Sequence, residues 1–199
     1  MRMKSVFIAL TCLLALGVAA STGVAADTFT IDPNHSSIGF TVKHMVVTKV
    51  KGGFDEYAGT ILYDDKDLTK SSVEVTIKTA SIDTNTPRRD DDLRSPNFFD
   101  AAKYPEITFT SRRIEKSGDG YTAIGDLTMH GVTKEINMPF TIAGTVTDPM
   151  GNTRLGLSAQ TSLNRQDYGI TWSKKLDNGG LVAGDEVQIS IEVEAVKAK

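Results

Sequence analysis

EVQISIEVE, residues 186–194, carries the sharpest pattern in the chain. Val187, Ile189, Ile191 and Val193 alternate without a break against Glu186, Gln188, Ser190, Glu192 and Glu194. Successive side chains of a strand point to opposite faces, so this stretch is a strand with one apolar and one wet face. The same period of two recurs upstream. Ile38, Phe40, Val42, His44 and Val46 share one face, and so do Val73, Val75 and Ile77. Further files are Ile107 with Phe109, Tyr121 through Ala123, Gly125 and Leu127 to Met129, then Ile136, Met138, Phe140 and Ile142. Leu155, Leu157, Ala159, Thr161 and Leu163 form the last one before residue 186. With FDEYAGTILYDD (54–65) and the short FTID (29–32), the pattern predicts eight or nine strands.

The connectors DDKDLTKSS, EKSGDGY, MHGVTKE, TDPMGNT and LDNGG are rich in Asp, Gly, Asn and Pro. They read as turns, most of them short enough to join antiparallel neighbours. Residues 86–105 and 165–180 break the alternation and are expected to be loops with a short helical turn. The fold class is therefore all-β. Alternation alone leaves a two-sheet sandwich and a closed barrel open. Strands longer than the usual five or six residues, in meander order, favour an eight-stranded barrel. Such a barrel is either just filled by its side chains or wide enough for one small ligand. Ala123, Gly125, Gly144 and Ala159, placed on the inward files, suggest room.

The first 26 residues, MRMKSVFIALTCLLALGVAASTGVAA, have Arg2 and Lys4, then an apolar run, then Val24-Ala25-Ala26. This is the layout of a secretory signal peptide. The run is short for a membrane span, which needs about 20 apolar residues. The expected mature chain, 27–199, is one domain exported to a Gram-negative periplasm, with no integral membrane segment. Cys12 is the one cysteine and lies in the leader, so no disulfide is available to the domain. Loss of Arg2 and Lys4 takes the formal net charge from −3 to −5. That balance predicts no nucleic-acid partner and no attraction to an anionic membrane surface.

His35 and His44 are nine residues apart and would face opposite ways about 30 Å from one another in one strand. His130 sits in a hairpin. Neither pairing provides a metal site. The sequence has no GxSxG elbow, P-loop or GxGxxG. Asp90-Asp91-Asp92 after Arg88-Arg89 lacks calcium-loop spacing and reads as a solvated, mutually neutralising loop.

Four stretches then stand out: IDPNHSSIGFTVKHMVVTKVKGGFDEYAGTI, VEVTIKTASIDTNTPRRDDDLRSPNFFDAAKYPEITFTS, GDLTMHGVTKEINMPF and DYGITW. In this order they resemble the YceI-like family of secreted lipid-binding proteins over nearly the whole mature chain. The resemblance implies a lipocalin-like extended antiparallel barrel. It also implies a lumen for a long apolar molecule, a polyisoprenoid or a quinone-like chain, with no catalysis and no cofactor. The candidate ligand-binding residues are Phe40, Val42, His44, Phe54, Val75, Ile77, Phe109, Leu127, Met129, Phe140, Ile142 and Leu157 on the inward files. Phe98, Phe99 and Trp172 join them from outside the strands, placed to close a barrel mouth or touch the ligand. The competing expectations are an enzyme acting on a lipid in the same lumen, with His44 as its polar group, and a ligand-free β-sandwich that binds partners. A monomer or homodimer suits either.

Overall fold

A computed structural model describes residues 26–199 apart from Asp119 and Asn178. Residues 1–25 of the expected leader lie outside the described residues. The strands are β1 (Asp27–Ile31), β2 (Ser37–His44), β3 (Thr48–Phe54), β4 (Tyr57–Tyr63), β5 (Ser72–Lys78) and β6 (Ile82–Asp83). They continue as β7 (Glu106–Ser117), β8 (Gly120–Met129), β9 (Val132–Thr147), β10 (Thr153–Asn164) and β11 (Ala183–Lys197). One α-helix, α1 (Pro87–Arg94), lies between β6 and β7.

Eight of the strands form an antiparallel ring in the order β1-β4-β5-β7-β8-β9-β10-β11. β1 closes it on β11, with Phe29 opposite Lys197 and Ile31 opposite Ala195. Closure leaves the ring without a free edge and sets the sandwich alternative aside. β2, β3 and β6 extend one end: β2 continues along β11, β3 pairs with β2, and β6 pairs with β3.

Three consecutive rungs therefore bend at one level. The first turns at residues 32–36, where Pro33 opens a single 3-10 turn and Asp32 Oδ1 accepts from Asn34 N. The second turns at Asp55-Glu56, whose two N–H groups donate to the carbonyl and hydroxyl of Ser81. The third turns at Thr79–Ser81 itself. Below the bends, Phe29, Ile31, Ile61, Leu155, Val193 and Ala195 form one apolar cluster. Ile107, Leu127, Met129, Tyr168 and Ile170 form another.

The helix follows from its local sequence. Pro87 fits the first helical position because it has no N–H to leave unsatisfied there. Ser95 ends the helix because Pro96 disfavours helical backbone before it. Arg94 donates to the carbonyls of Ala80 and Ile82, 2.7 Å each, which pins α1 to the third bend.

Three readings of the sequence need correction. The strand drawn through Val46 stops at His44, because Met45 and Val46 both have positive φ and turn the chain into a hairpin. Asp90 is buried rather than solvated: its Oδ1 accepts from Thr84 N at 2.9 Å and Thr84 Oγ1 at 2.5 Å. Burial alone would push its carboxyl up, but bonds from Thr84 and the Thr86 backbone hold it below the usual range. Gly125 and Gly144 make no room in the lumen. A Cβ on Gly125 would lie 2.3 Å from Thr110 O, so this glycine lets β7 press close at its bulge. Gly144 is exposed with φ +121 at the β9–β10 irregularity, where the inward file ends at Ile142.

Candidate functional site

The ring and its β2–β3 extension hold two bordering cavities, an upper and a lower lobe. The upper lobe, about 290 Å³, lies among β2, β3, α1 and the segment 165–183. Phe40, Val42, His44, Phe54, Phe98, Phe99, Met129 and Trp172 all line it. The lower lobe, about 180 Å³, runs among β1, β4, β5 and β7 to β11, and its wall includes Val75, Ile77, Phe109, Leu127, Phe140, Ile142 and Leu157. All fifteen residues singled out from the sequence thus stand on one wall or the other. Phe54, Met129, Leu163 and Ile189 border both lobes and form a waist at the level of the bends.

Aromatic rings build the upper lobe. Phe40 and Phe54 lie 6.0 Å apart, and Phe99 meets Phe54 edge-on at 6.0 Å. Phe98 meets Trp172 at 5.2 Å with the rings tilted by 41°, and Trp172 is 37% exposed at the outer margin. Both adjacent phenylalanines reach the cavity because they sit on a loop, free of the strand alternation that would part them. The lower lobe has few polar groups: Ser71, Ser72 and the phenols of Tyr57 and Tyr63. Burial first, then nearby Asp55 and Asp32, pushes the Tyr57 phenol up, so it stays neutral; burial does the same at Tyr63.

The profile of the YceI-like domain matches residues 29–195. The chain belongs to the YceI-like family. A UPF0312 protein of Pectobacterium atrosepticum is 36% identical over 197 residues, covering 99% of this chain and 100% of its own. The YCEI protein of Campylobacter jejuni superposes with a TM-score of 0.67 at 32% identity, over 79% of this chain and 90% of that one. A polyisoprenoid binding domain from Saccharophagus degradans superposes with a TM-score of 0.61 at 16% identity, over 85% of this chain and 98% of that one. That last likeness is one of fold.

This YceI-like chain also puts charged groups in the upper wall that strand periodicity did not reveal: Lys43, Arg89, Asp92 and Arg165. Two of them are committed to the framework. Arg165, 5% exposed, donates to the carbonyls of Ile170, Ala183 and Gly184 and to Asp185. Burial pulls its guanidinium down, against the opposing pull of Asp185. Arg89 donates to Thr84 Oγ1 at 2.7 Å, Thr84 O at 2.8 Å and Thr86 Oγ1 at 3.0 Å. These cations tie the upper segments to strand ends.

The histidines fall apart as their spacing predicts. His44 faces the upper lobe, whereas His35 lies in the 3-10 turn with its Nδ1 2.9 Å from Asp32 Oδ2. His130 holds the β8–β9 hairpin: its Nδ1 is 2.9 Å from Tyr168 O and its ring meets Tyr104 at 4.6 Å. Asp32, His35 and Glu194 bring three possible ligand atoms within 4.8 Å of one another. Arg154 Nη1 already bridges that group, 3.0 Å from Asp32 and 2.5 Å from Glu194. A guanidinium in this position occupies both carboxylates and repels a cation.

Proposed function

We propose that this protein is a periplasmic carrier that holds one long apolar chain, polyisoprenoid or quinone-like, in its lumen and performs no chemistry on it. The observation that carries the reading is the pair of apolar cavities that meet at Phe54, Met129, Leu163 and Ile189. Along β11 their wall extends from Val182 to Val193. Val182 precedes β11, and a bulge lets residues 183–187 cover only a two-residue step of β2, so this is roughly 26 Å along the strand and, at a tilt of ~40°, about 20 Å along the axis. One leaflet of a bilayer is about 15 Å of hydrocarbon. The wall is thus longer than the hydrocarbon of one leaflet, which favours a long chain of the isoprenoid class. Each CH₂ taken from water contributes about 0.8 kcal/mol, offset in part by ordering of the chain.

The name of the Saccharophagus degradans domain supports the same ligand class. The absence of catalysis is supported by the layout of polar groups. The charged ones gather in the upper lobe, where Arg89 and Arg165 are occupied by framework bonds, and the lower lobe is almost wholly apolar.

Protein purified from cells without detergent is expected to release a long-chain, isoprenoid lipid on organic extraction, read by mass spectrometry. If folded protein yields no lipid and binds no added quinone or prenyl chain, the carrier reading is lost. A bound chain that changes chemically with time, and ceases to do so in His44→Ala, would make the protein an enzyme instead. Elemental analysis after dialysis is expected to find sub-stoichiometric zinc, copper and nickel; one tightly held ion per chain, released by His35→Ala, would count against the ion-pair account of Asp32, His35 and Glu194.

A further inference from the structure

The β2–β3 hairpin ends in Met45, Val46 and Val47, which are 42%, 61% and 86% exposed. Val47 N donates to His44 O, and the two residues between them, Met45 and Val46, have φ of 52° and 66°. A turn with two positive φ values normally takes Asn-Gly or Gly-Gly, and a β-branched residue there is strained. Apolar side chains are thus held at a projecting tip where small polar residues would fold more easily.

Lysines flank the tip. Lys43 lies directly opposite Lys49 in the β2–β3 ladder, and Lys51 is on the same outer face. Like charges placed opposite each other weaken a strand pair. Lys174 and Lys175 join them, because Val182 accepts from Met45 N and donates to Lys174 O, 2.9 Å each. None of these five lysines is in an ion pair among the described residues, although the whole chain carries a net negative charge. The exposed edge of Trp172, Lys43 and Val182 all border the upper lobe of the lumen.

We propose that this end of the barrel docks on an anionic phospholipid surface, with Met45, Val46 and Val47 inserted among the headgroups and the lysines paired with their phosphates. Apolar side chains flanked by lysines, with a tryptophan at the margin, suit the interface between water and hydrocarbon. The overall negative charge had argued against an anionic membrane, but attraction depends on the local field within about 10 Å at 0.1 M salt. Docking stands on the tip's own chemistry; only its purpose, bringing the upper lobe to the bilayer for lipid exchange, rests on the carrier reading.

Flotation with vesicles separates the two. Protein should float with phosphatidylglycerol-containing vesicles at low salt and remain behind with pure phosphatidylcholine or in 0.5 M salt. Lys43→Gln with Lys49→Gln should weaken partitioning about fivefold per lysine. Met45→Asn with Val46→Gly should also abolish flotation, while relieving the turn and so folding at least as well. Trp172, the single tryptophan, should be quenched by brominated lipid in the wild type and not in the tip variant. Equal flotation on neutral vesicles, none on any vesicle, or variants that float like wild type would each overturn the proposal. Self-association lost in the tip variant, without vesicle binding, would assign the tip to a second copy of the chain. These outcomes do not depend on whether the lumen carries lipid.

Discussion

Leu163→Trp should leave short prenyl chains bound and expel long ones. Leu163 borders both lobes from β10, opposite Val187 in the β10–β11 ladder, and shares the waist with Phe54, Met129 and Ile189. An indole at this point closes the passage while the upper lobe keeps its aromatic wall. A chain short enough to lie in the upper lobe keeps its contacts. A longer one must withdraw from the lower lobe or pass the block. One isoprene unit has about five carbons, so its burial is worth about 4 kcal/mol before ordering takes back roughly half. Losing two such units costs on the order of 100-fold or more in affinity. Leu163 also packs against the cluster of Ile107, Leu127, Met129, Tyr168 and Ile170, so the usual penalty for overpacking, about 1–3 kcal/mol, applies. Circular dichroism and thermal melts check that first. Titration with a series of prenyl alcohols or quinones should then show a break in the dependence of affinity on chain length. Equal weakening at every length would mean a general disturbance, and no change at any length would remove the waist from the ligand's path.

The inward wall was legible because strand alternation is strict wherever one face is buried. Phe40, Leu127, Phe140 and Leu157 can be assigned to the lumen from parity alone, once the chain is known to close on itself. Closure was not legible: it depends on Phe29 meeting Lys197, a pairing across almost the whole domain, and parity is the same in a sandwich. The hairpin at Met45-Val46 was hidden for a different reason. Its residues are apolar and β-branched, the composition of a strand, and only the pairing of His44 with Thr48 turns them outward. Gly125 and Gly144 misled because a small residue can mean empty space, a neighbouring backbone in contact, or a bulge, and their spacing is the same in all three. The upper-lobe cations escaped because Arg89 and Arg165 sit just where periodicity ends; Asp90 looked like one member of a charged run, and its partner Thr84 lies outside that run.

Arg154→Ala should lower stability near neutral pH, and the deficit should shrink as the solution is made acidic. Arg154 is the cation among three carboxylates. Its Nε donates to Asp148 at 2.8 Å, and its Nη1 reaches Asp32 at 3.0 Å and Glu194 at 2.5 Å. The group joins the first bend to β11 and to the β9–β10 turn, because Asp32 N also donates to Glu194 O. Glu194 is about one-third exposed, so solvent screens its share, while Asp32 and Asp148 are well covered. Removing the guanidinium leaves acceptors without their donor and like charges side by side. The hydrogen bond from His35, and then that from Arg154, hold the Asp32 carboxyl at about 2 against the effect of burial. Bonds from Arg154 and Asn152 hold Asp148 well below the usual range as well. A carboxyl whose folded pKa lies below its unfolded value, about 3.9, contributes stability that is present above that value and lost as pH falls through the folded one. Wild type should therefore lose stability steeply between about pH 4 and pH 2. The variant has less of this contribution to lose, because its carboxylates no longer have the cation that favoured ionisation. Melts of the two proteins should therefore differ more at pH 7 than at pH 2.5. Arg154→Lys keeps the charge but not the fork and should fall between the two. A deficit of equal size at both pH values would assign the loss to packing rather than to the ion-pair network.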